Sequence, residues 1–445
     1  MAAGDGAGPL SPHCRELQSL LRRRVSQVKP YRIKSSLTCR AWLLYPLLPV
    51  LLAFFLAAAW VNPAAAAPAS NYEALRLITE ALHEISQKFV YKKSEEEMIY
   101  GSLRGLMNSL DPDSSFLTSQ EYQQVLSGQK TPLAEAGMEL IVKDNLLTVV
   151  SALDNGPAWR AGLRPGDHIL KINGHLVRNQ TTQEGNRRFQ GKAGTVINLQ
   201  VLRNGQVKPL DLSVILESVA PGAVTNKILK ESYAYVRIPY FTQETAPTLA
   251  KTLKELQRHR PPLRGIVLDL RNNARGTLEQ AVRAASPFLG DKEVVSTRGR
   301  PPEPNQVYHG RAKEDVFKPN LPLVVLVDGG TARAAEALAG ALHDQSQAVL
   351  LGAKTVGLCG LTKMLPLEDG SALVMTVAQC FTPSGQKIHG KGLEPEVAGQ
   401  TPAPAVTGAP PPGNPPPEDD PWVNQALEIL KTGKTPKKAE KAETR

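Results

Sequence analysis

Groups able to act as nucleophiles or bases gather in one stretch of this sequence, between Asp328 and His389. Thr331 offers a hydroxyl, Cys359 a thiol, Lys354 and Lys363 amines, and His343 and His389 imidazoles. A hydroxyl nucleophile beside a lysine kept neutral by desolvation, with backbone N–H groups placed for an oxyanion, is the equipment of acyl transfer. That chemistry tolerates displacement of about 1 Å, and a shift of one or two residues along a strand or turn moves a side chain further than this. Each group also has an ordinary reading: Thr331 as a helix N-cap, Lys354 and Lys363 as solvated charges, Cys359 as a small core residue, Asp344 as a structural carboxylate. No CxxC pair or His/Cys cluster has metal-ligand spacing, so neither a metal nor a cofactor is expected.

The elements that must position these groups alternate between strand and helix after Pro221. YAYVRIPYF leads to a helix over Thr245–His259, then the strand Gly265–Leu270, the loop RNNARG and a helix over Leu278–Leu289. LPLVVLVD, Gly329-Gly330, a helix to His343 and AVLLGA follow, so residues 222–398 read as an α/β core around a buried sheet. Before it, residues 131–217 hold short strands separated by turn signals such as Asn173-Gly174 and Asn204-Gly205. Residues 71–125 read as a helical segment, with Leu75, Ile78, Leu82, Ile85 and Phe89 spaced three or four apart and a break near Lys92. DPDSSFLT then interrupts the helical pattern.

The ends carry the charge. Of the net +10, residues 1–40 contribute +6 and residues 431–445 contribute +4, which leaves residues 41–430 neutral. A nucleic-acid-binding face is therefore not expected. Ala41–Val61 is uncharged for twenty-one residues, enough for one transmembrane helix. The basic residues before it place residues 1–40 in the cytoplasm and 62–445 on the exported side, in the cell envelope. The segment reads as a signal anchor, or as a signal peptide cleaved in the Ala-rich stretch 63–69. On that side only Cys359 and Cys380 meet an oxidising compartment, either as a pair or as two buried thiols, while Cys14 and Cys39 stay cytoplasmic. Residues 399–421 form a Pro-rich linker, and 422–445 a short helix and a basic tail.

Asn155–His175, NGPAWRAGLRPGDHILKINGH, resembles the signature of a PDZ domain of the bacterial protease type. PDZ domains add an extended peptide as a strand and receive its terminal carboxylate in a loop of backbone N–H groups. The matching loop here is Glu135-Ala136-Gly137-Met138, in which Glu135 replaces a glycine and adds a negative charge beside the anion site.

The blocks SLDPDSSFLT, GIVLDLRNNARG, VLVDGGTARAAEALAGALHD, LLGAKTVG and LPLEDGSALVMTVAQCFTPSGQKIHGKGLEPEV extend the resemblance to the carboxyl-terminal processing peptidases, or tail-specific proteases. The resemblance implies an α/β and α+β multidomain chain with a crotonase-like core. It also implies an exported serine protease with a Ser–Lys dyad, cutting near protein C-termini while the PDZ domain gates admission. In that pattern the nucleophile is the middle serine of Ser-x-Ser-x-Ser-Glu. Glu336 and Asp344 keep the register, which puts Arg333 at the nucleophile and Thr331 and Ala335 at the flanking serines. The lysine of Gly-x-x-Thr-x-Gly-Lys-Gly falls on Leu358, with Gly352, Thr355 and Gly357 in place, and the glutamine four residues on is Thr362. In the oxyanion loop Arg275 replaces the first of two glycines and Gly276 remains. Guanidinium stays protonated and leucine has no lone pair, so the dyad mechanism is unavailable.

The expected protein is thus a pseudoprotease that binds peptide or protein C-termini, or pairs with an active paralogous peptidase. Arg333 and Arg275 would make the old site electropositive. The alternatives are an active endopeptidase whose nucleophile has moved to Thr331 or Cys359, and a scaffold whose PDZ groove is closed by its own chain.

Overall fold

The structure is a computed structural model that describes residues 70–127, 134–143, 146–177, 180–219, 222, 224–311, 321–400 and 417–433. Ala41–Val61, Cys14, Cys39, most of the Pro-rich linker and the basic tail lie outside them. No helix among the described residues is long and apolar enough to cross a membrane. The chain divides into two units, 1–85 and 86–445. In the first, the described part begins the helix Ser70–Lys88.

In the second unit, Ser94 caps the helix Glu95–Asn108 by accepting the Glu97 N–H. Asp111 then closes the DPDSS turn through the N–H groups of Asp113 and Ser114, at 2.9 and 2.8 Å. That turn leads into Ser115–Leu117, which pairs antiparallel with the long strand Ala372–Phe381. A capping box of Thr118 and Glu121 starts the helix Ser119–Leu126.

Residues 134–217 fold around their own apolar cluster, which includes Leu140, Leu147, Ile169, Val201, Val214 and Leu216. Five antiparallel strands run in the order Met138–Lys143, Leu146–Ala152, His168–Ile172, Val196–Leu202, Leu210–Ile215. Asn173 and Gly174 take φ of 49° and 81° and turn His168–Ile172 back onto His175–Leu176, as an Asn-Gly pair does in a tight hairpin. Buried Asp167 accepts both Arg203 and the Arg164 N–H, pinning the Pro165-Gly166-Asp167 turn.

The core sheet has six strands, Thr225–Leu229, Tyr233–Arg237, Gly265–Asp269, Leu323–Val327, Val349–Gly352 and Val397–Ala398, parallel except for the first pair. Alternation divides its side chains between two layers. Ala234, Val236, Ile266, Leu268, Val325 and Val327 pack under the helices Thr245–Gln257, Leu278–Leu289 and Ala334–Ser346. Tyr233, Tyr235, Val267, Val324 and Leu326 face the opposite way, onto the helix Pro421–Thr432. Ala334–Leu342 is buried at every residue, five of them alanines and one a glycine; a Cβ on Gly340 would stand 2.7 Å from Thr382. A second, antiparallel sheet is built on Ala372–Phe381, and Cys380 in that strand is disulfide-bonded to Cys359. The pair left open by sequence is thus a bond.

Because Val423, Ala426, Leu427 and Leu430 cover one whole face of the sheet, Leu427→Ala should cost about 2–5 kcal/mol of unfolding free energy. Val207→Ala, at a site 97% exposed, should change it by less than about 0.5 kcal/mol. Chemical denaturation of both variants checks this.

Candidate functional site

The turn after Leu323–Val327 brings the chemically suspect residues to the end of the sheet. Asp328 accepts the N–H groups of Asn272 and Gly330 at 2.8 and 3.0 Å. Burial pushes its carboxyl up, against those donors. Thr331 Oγ1 lies 2.9 Å from the Leu270 carbonyl and 3.0 Å from the Asp328 carboxylate, and accepts the Asp328 N–H. The hydroxyl is fully buried and spent on closing the turn.

Arg333 follows at the start of the helix Ala334–Ser346 with φ 55° and ψ −116°. A non-glycine residue held there costs on the order of 1–3 kcal/mol, so the turn at Arg333 is a strained elbow held by its surroundings. Its guanidinium pairs with Asp113 of the DPDSS turn at 2.7 Å. Glu336, one helical turn on, accepts the N–H groups of Arg333, Gly357 and Leu358 at 3.1, 2.6 and 2.9 Å and the Thr355 hydroxyl. It thereby locks the elbow to the loop 355–358. Burial outweighs these donors and lifts its carboxyl to about 7.

Leu358 is 6% exposed and packs in an apolar cluster with Ala274 and Ala332 of the core and Ile141 and Val150 of the β module. Arg275 leaves the loop 271–276 in the same direction. It reaches both carboxylate oxygens of Glu135 at 2.7 and 3.0 Å, Glu139 at 2.5 Å and the Met138 carbonyl at 3.1 Å. Gly276 holds φ 116°, with Phe241 Cβ 2.4 Å from where its own Cβ would stand. Asn272 joins the same junction, accepting the Ala152 N–H and donating to the Ala152 carbonyl.

The electropositive site expected from the two arginines does not form, because Asp113, Glu135 and Glu139 compensate them. The substitute groups are dispersed as well. Cys359 is in its disulfide, Lys354 faces Glu394 on the surface and Lys363 bonds Glu303. His343 is held between Asp344 and Glu396, each at 2.9 Å. His389 is pushed down by burial, and among the described residues its Nδ1 has no partner. Among the described residues, no hydrogen bond joins Thr331 or Cys359 to any of these bases. Thr362 lies in the strand Gly360–Pro366. Ala335, at the last serine of the old pattern, is buried in the helix.

Sequence reasoning missed the pairing of Arg275 with Glu135. The available signal was that two glycines of the family pattern had become opposite charges together. Glu139 and Asp113 carried no such mark.

A carboxyl raised from 4.5 to about 7 on folding stabilises at low pH, and that contribution is lost as pH rises through about 7. Unfolding free energy should therefore fall between pH 4.5 and 7, and Glu336→Gln should flatten the fall in denaturation curves measured across that window. Glu336→Ala, which strands four donors, should destabilise at every pH by about 3 kcal/mol or more.

Residues 232–398 match the model of peptidase family S41, and residues 135–214 that of the PDZ domain. The carboxy-terminal-processing protease of Bartonella bacilliformis is 34% identical over 337 residues, covering 75% of this chain and 77% of that protein. The carboxy-terminal processing protease CtpA of Bacillus subtilis is 29% identical over 326 residues, 73% of this chain and 69% of its own. In fold, the chain is similar to a photosystem II D1 C-terminal processing protease, with a TM-score of 0.62 and 24% identity over 73% of this chain and 92% of that one. With a PDZ domain set against an S41 core, this chain belongs to the carboxy-terminal processing protease family.

Proposed function

We propose that this chain is a non-hydrolysing member of its family, a pseudoprotease that holds peptide or protein C-termini through its PDZ domain instead of cutting them. The observation that carries the reading is the content of the reaction centre. At the elbow stands Arg333, ion-paired to Asp113, and at the position of the base stands Leu358, in an apolar cluster. A guanidinium supplies neither a nucleophilic oxygen nor a base at physiological pH, and a leucine supplies no lone pair. In a serine protease, loss of the nucleophile or its base removes on the order of a millionfold in turnover.

The family's known enzymes make an active paralogue a natural partner for such a chain, which would then present or withhold termini. The uncharged stretch 41–61, preceded by arginines and lysines, supports a place in the cell envelope with residues 62–445 on the exported side. An endopeptidase with a relocated nucleophile has less support, since the Thr331 hydroxyl and the Cys359 sulfur are both engaged in structure.

Digestion of an unfolded protein by the purified chain tests the reading. No cleavage is expected, beside an Arg333→Ser, Leu358→Lys double variant as the comparison for restored chemistry. Cleavage by the natural chain that disappears in Thr331→Ala would sink the proposal.

A further inference from the structure

The PDZ groove runs between the strand Met138–Lys143 and the helix Thr182–Arg187, and it is already filled by the chain's own groups. At its head is a cavity of about 130 Å³ lined by Ala136, Gly137, Met138, Asn186, Phe189 and Arg275, among others. Along the strand, Asn186 accepts the Leu140 N–H at 3.1 Å and donates to the Leu140 carbonyl at 3.3 Å, while Thr182 accepts the Val142 N–H at 3.0 Å. These are the backbone groups that an added peptide strand would use.

The loop at the head is committed too. The Glu135 N–H donates to the Glu217 carbonyl and the Ala136 N–H to the Phe189 carbonyl, at 2.8 and 3.0 Å. Two backbone donors are thus missing for an incoming carboxylate. In their stead the core inserts Arg275, whose fork grips the two oxygens of Glu135. That two-pronged geometry is the one a guanidinium adopts on any carboxylate, including the α-carboxylate that ends a peptide. Glu139, on the same guanidinium, would keep it charged and oriented if Glu135 left, and the Glu135 side chain is 23% exposed, with water within reach.

We infer that Arg275 is the receptor for the terminal α-carboxylate of a bound peptide, and that Glu135 is its built-in competitor. This rests on the peptide-binding reading above. A peptide enters by exchange of like for like: its carboxylate takes the place of Glu135 on Arg275, and its backbone takes the places of Asn186 and Thr182 on the strand. The receptor is therefore shared between two modules. Only a chain whose PDZ domain is seated on its core can offer it, and a peptide whose end is blocked as an amide gains nothing from it.

The test is fluorescence anisotropy on the purified full chain with a labelled ten-residue peptide ending in valine, chosen for the small apolar cavity, and with the same peptide as its C-terminal amide. Glu135→Gln should tighten the acid about tenfold and leave the amide within twofold. Arg275→Gln should erase the preference for acid over amide, with Arg275→Lys, which keeps the charge and loses the fork, in between. Should Arg275→Gln fail to fold by circular dichroism, the acid-to-amide comparison in Glu135→Gln decides alone. Equal binding of acid and amide by the natural chain and by Glu135→Gln, or weaker acid binding by Glu135→Gln, overturns the role of Arg275 and leaves the peptide-binding reading intact. Absence of binding to the natural chain, to Glu135→Gln and to Asn186→Ala, which frees the strand, overturns both.

Discussion

The seating of the PDZ domain on the core depends on one half-buried ionic contact, the Arg275 guanidinium between Glu135 and Glu139. A charge in that position has no neutral compromise. Arginine does not shed its proton, so it must be matched by carboxylates or returned to water. Because both carboxylates belong to the PDZ domain and the arginine to the core, the match exists only in one relative placement of the two. Around it stand contacts that need the same placement. Arg237 of the sheet reaches Asp154 at 2.6 Å, Asn272 embraces the Ala152 peptide group, and Leu358 packs on Ile141 and Val150.

Three of the residues singled out by sequence, Arg333, Leu358 and Arg275, make contacts between modules. Arg333 ties the core to Asp113 of the segment before the PDZ domain, and Leu358 and Arg275 tie it to the PDZ domain itself. An active centre has to keep its reactive groups free of such ties, since a nucleophile and its base must be available to a substrate. Around these contacts Arg333 holds a positive φ, Gly276 approaches Phe241 closely, and Glu336 gathers four donors.

Local features of this arrangement were legible in the sequence, and junctions were not. Val267 and Leu268 alternate between two apolar layers because a strand has period two, and Asn173-Gly174 turns because both residues tolerate positive φ. The spacing of Glu336, Asp344, Gly352, Thr355 and Gly357 pointed to Arg333 and Leu358, which the structure places at the junction of the core with its neighbours. The contact of Arg275 with Glu135 spans 140 residues, and nothing in the local pattern of either announces the other. A short helix was read from Trp422, but the face it covers was hidden, because the strands it packs on are apolar on both sides. Cys359 and Cys380 were candidates on compartment alone. What joins them is the antiparallel pairing that brings the Cys380 N–H to the Cys359 carbonyl, a register no spacing rule supplies.

Glu135 and Arg275 would each be costly alone. Glu135 by itself sets a negative charge at the mouth of a carboxylate site, and Arg275 by itself buries a cation at a module junction. Together they cancel, and removing either leaves the other short of its partner in a half-buried place. The pair is therefore held in place by mutual dependence once both members are present. That same dependence makes it sensitive to a third group of the right charge and shape. A carboxylate that reaches Arg275 relieves the arginine of its need for Glu135, and Glu135, at the edge of the groove, returns to water. A contact that fixes the modules can in this way also report that the groove is occupied.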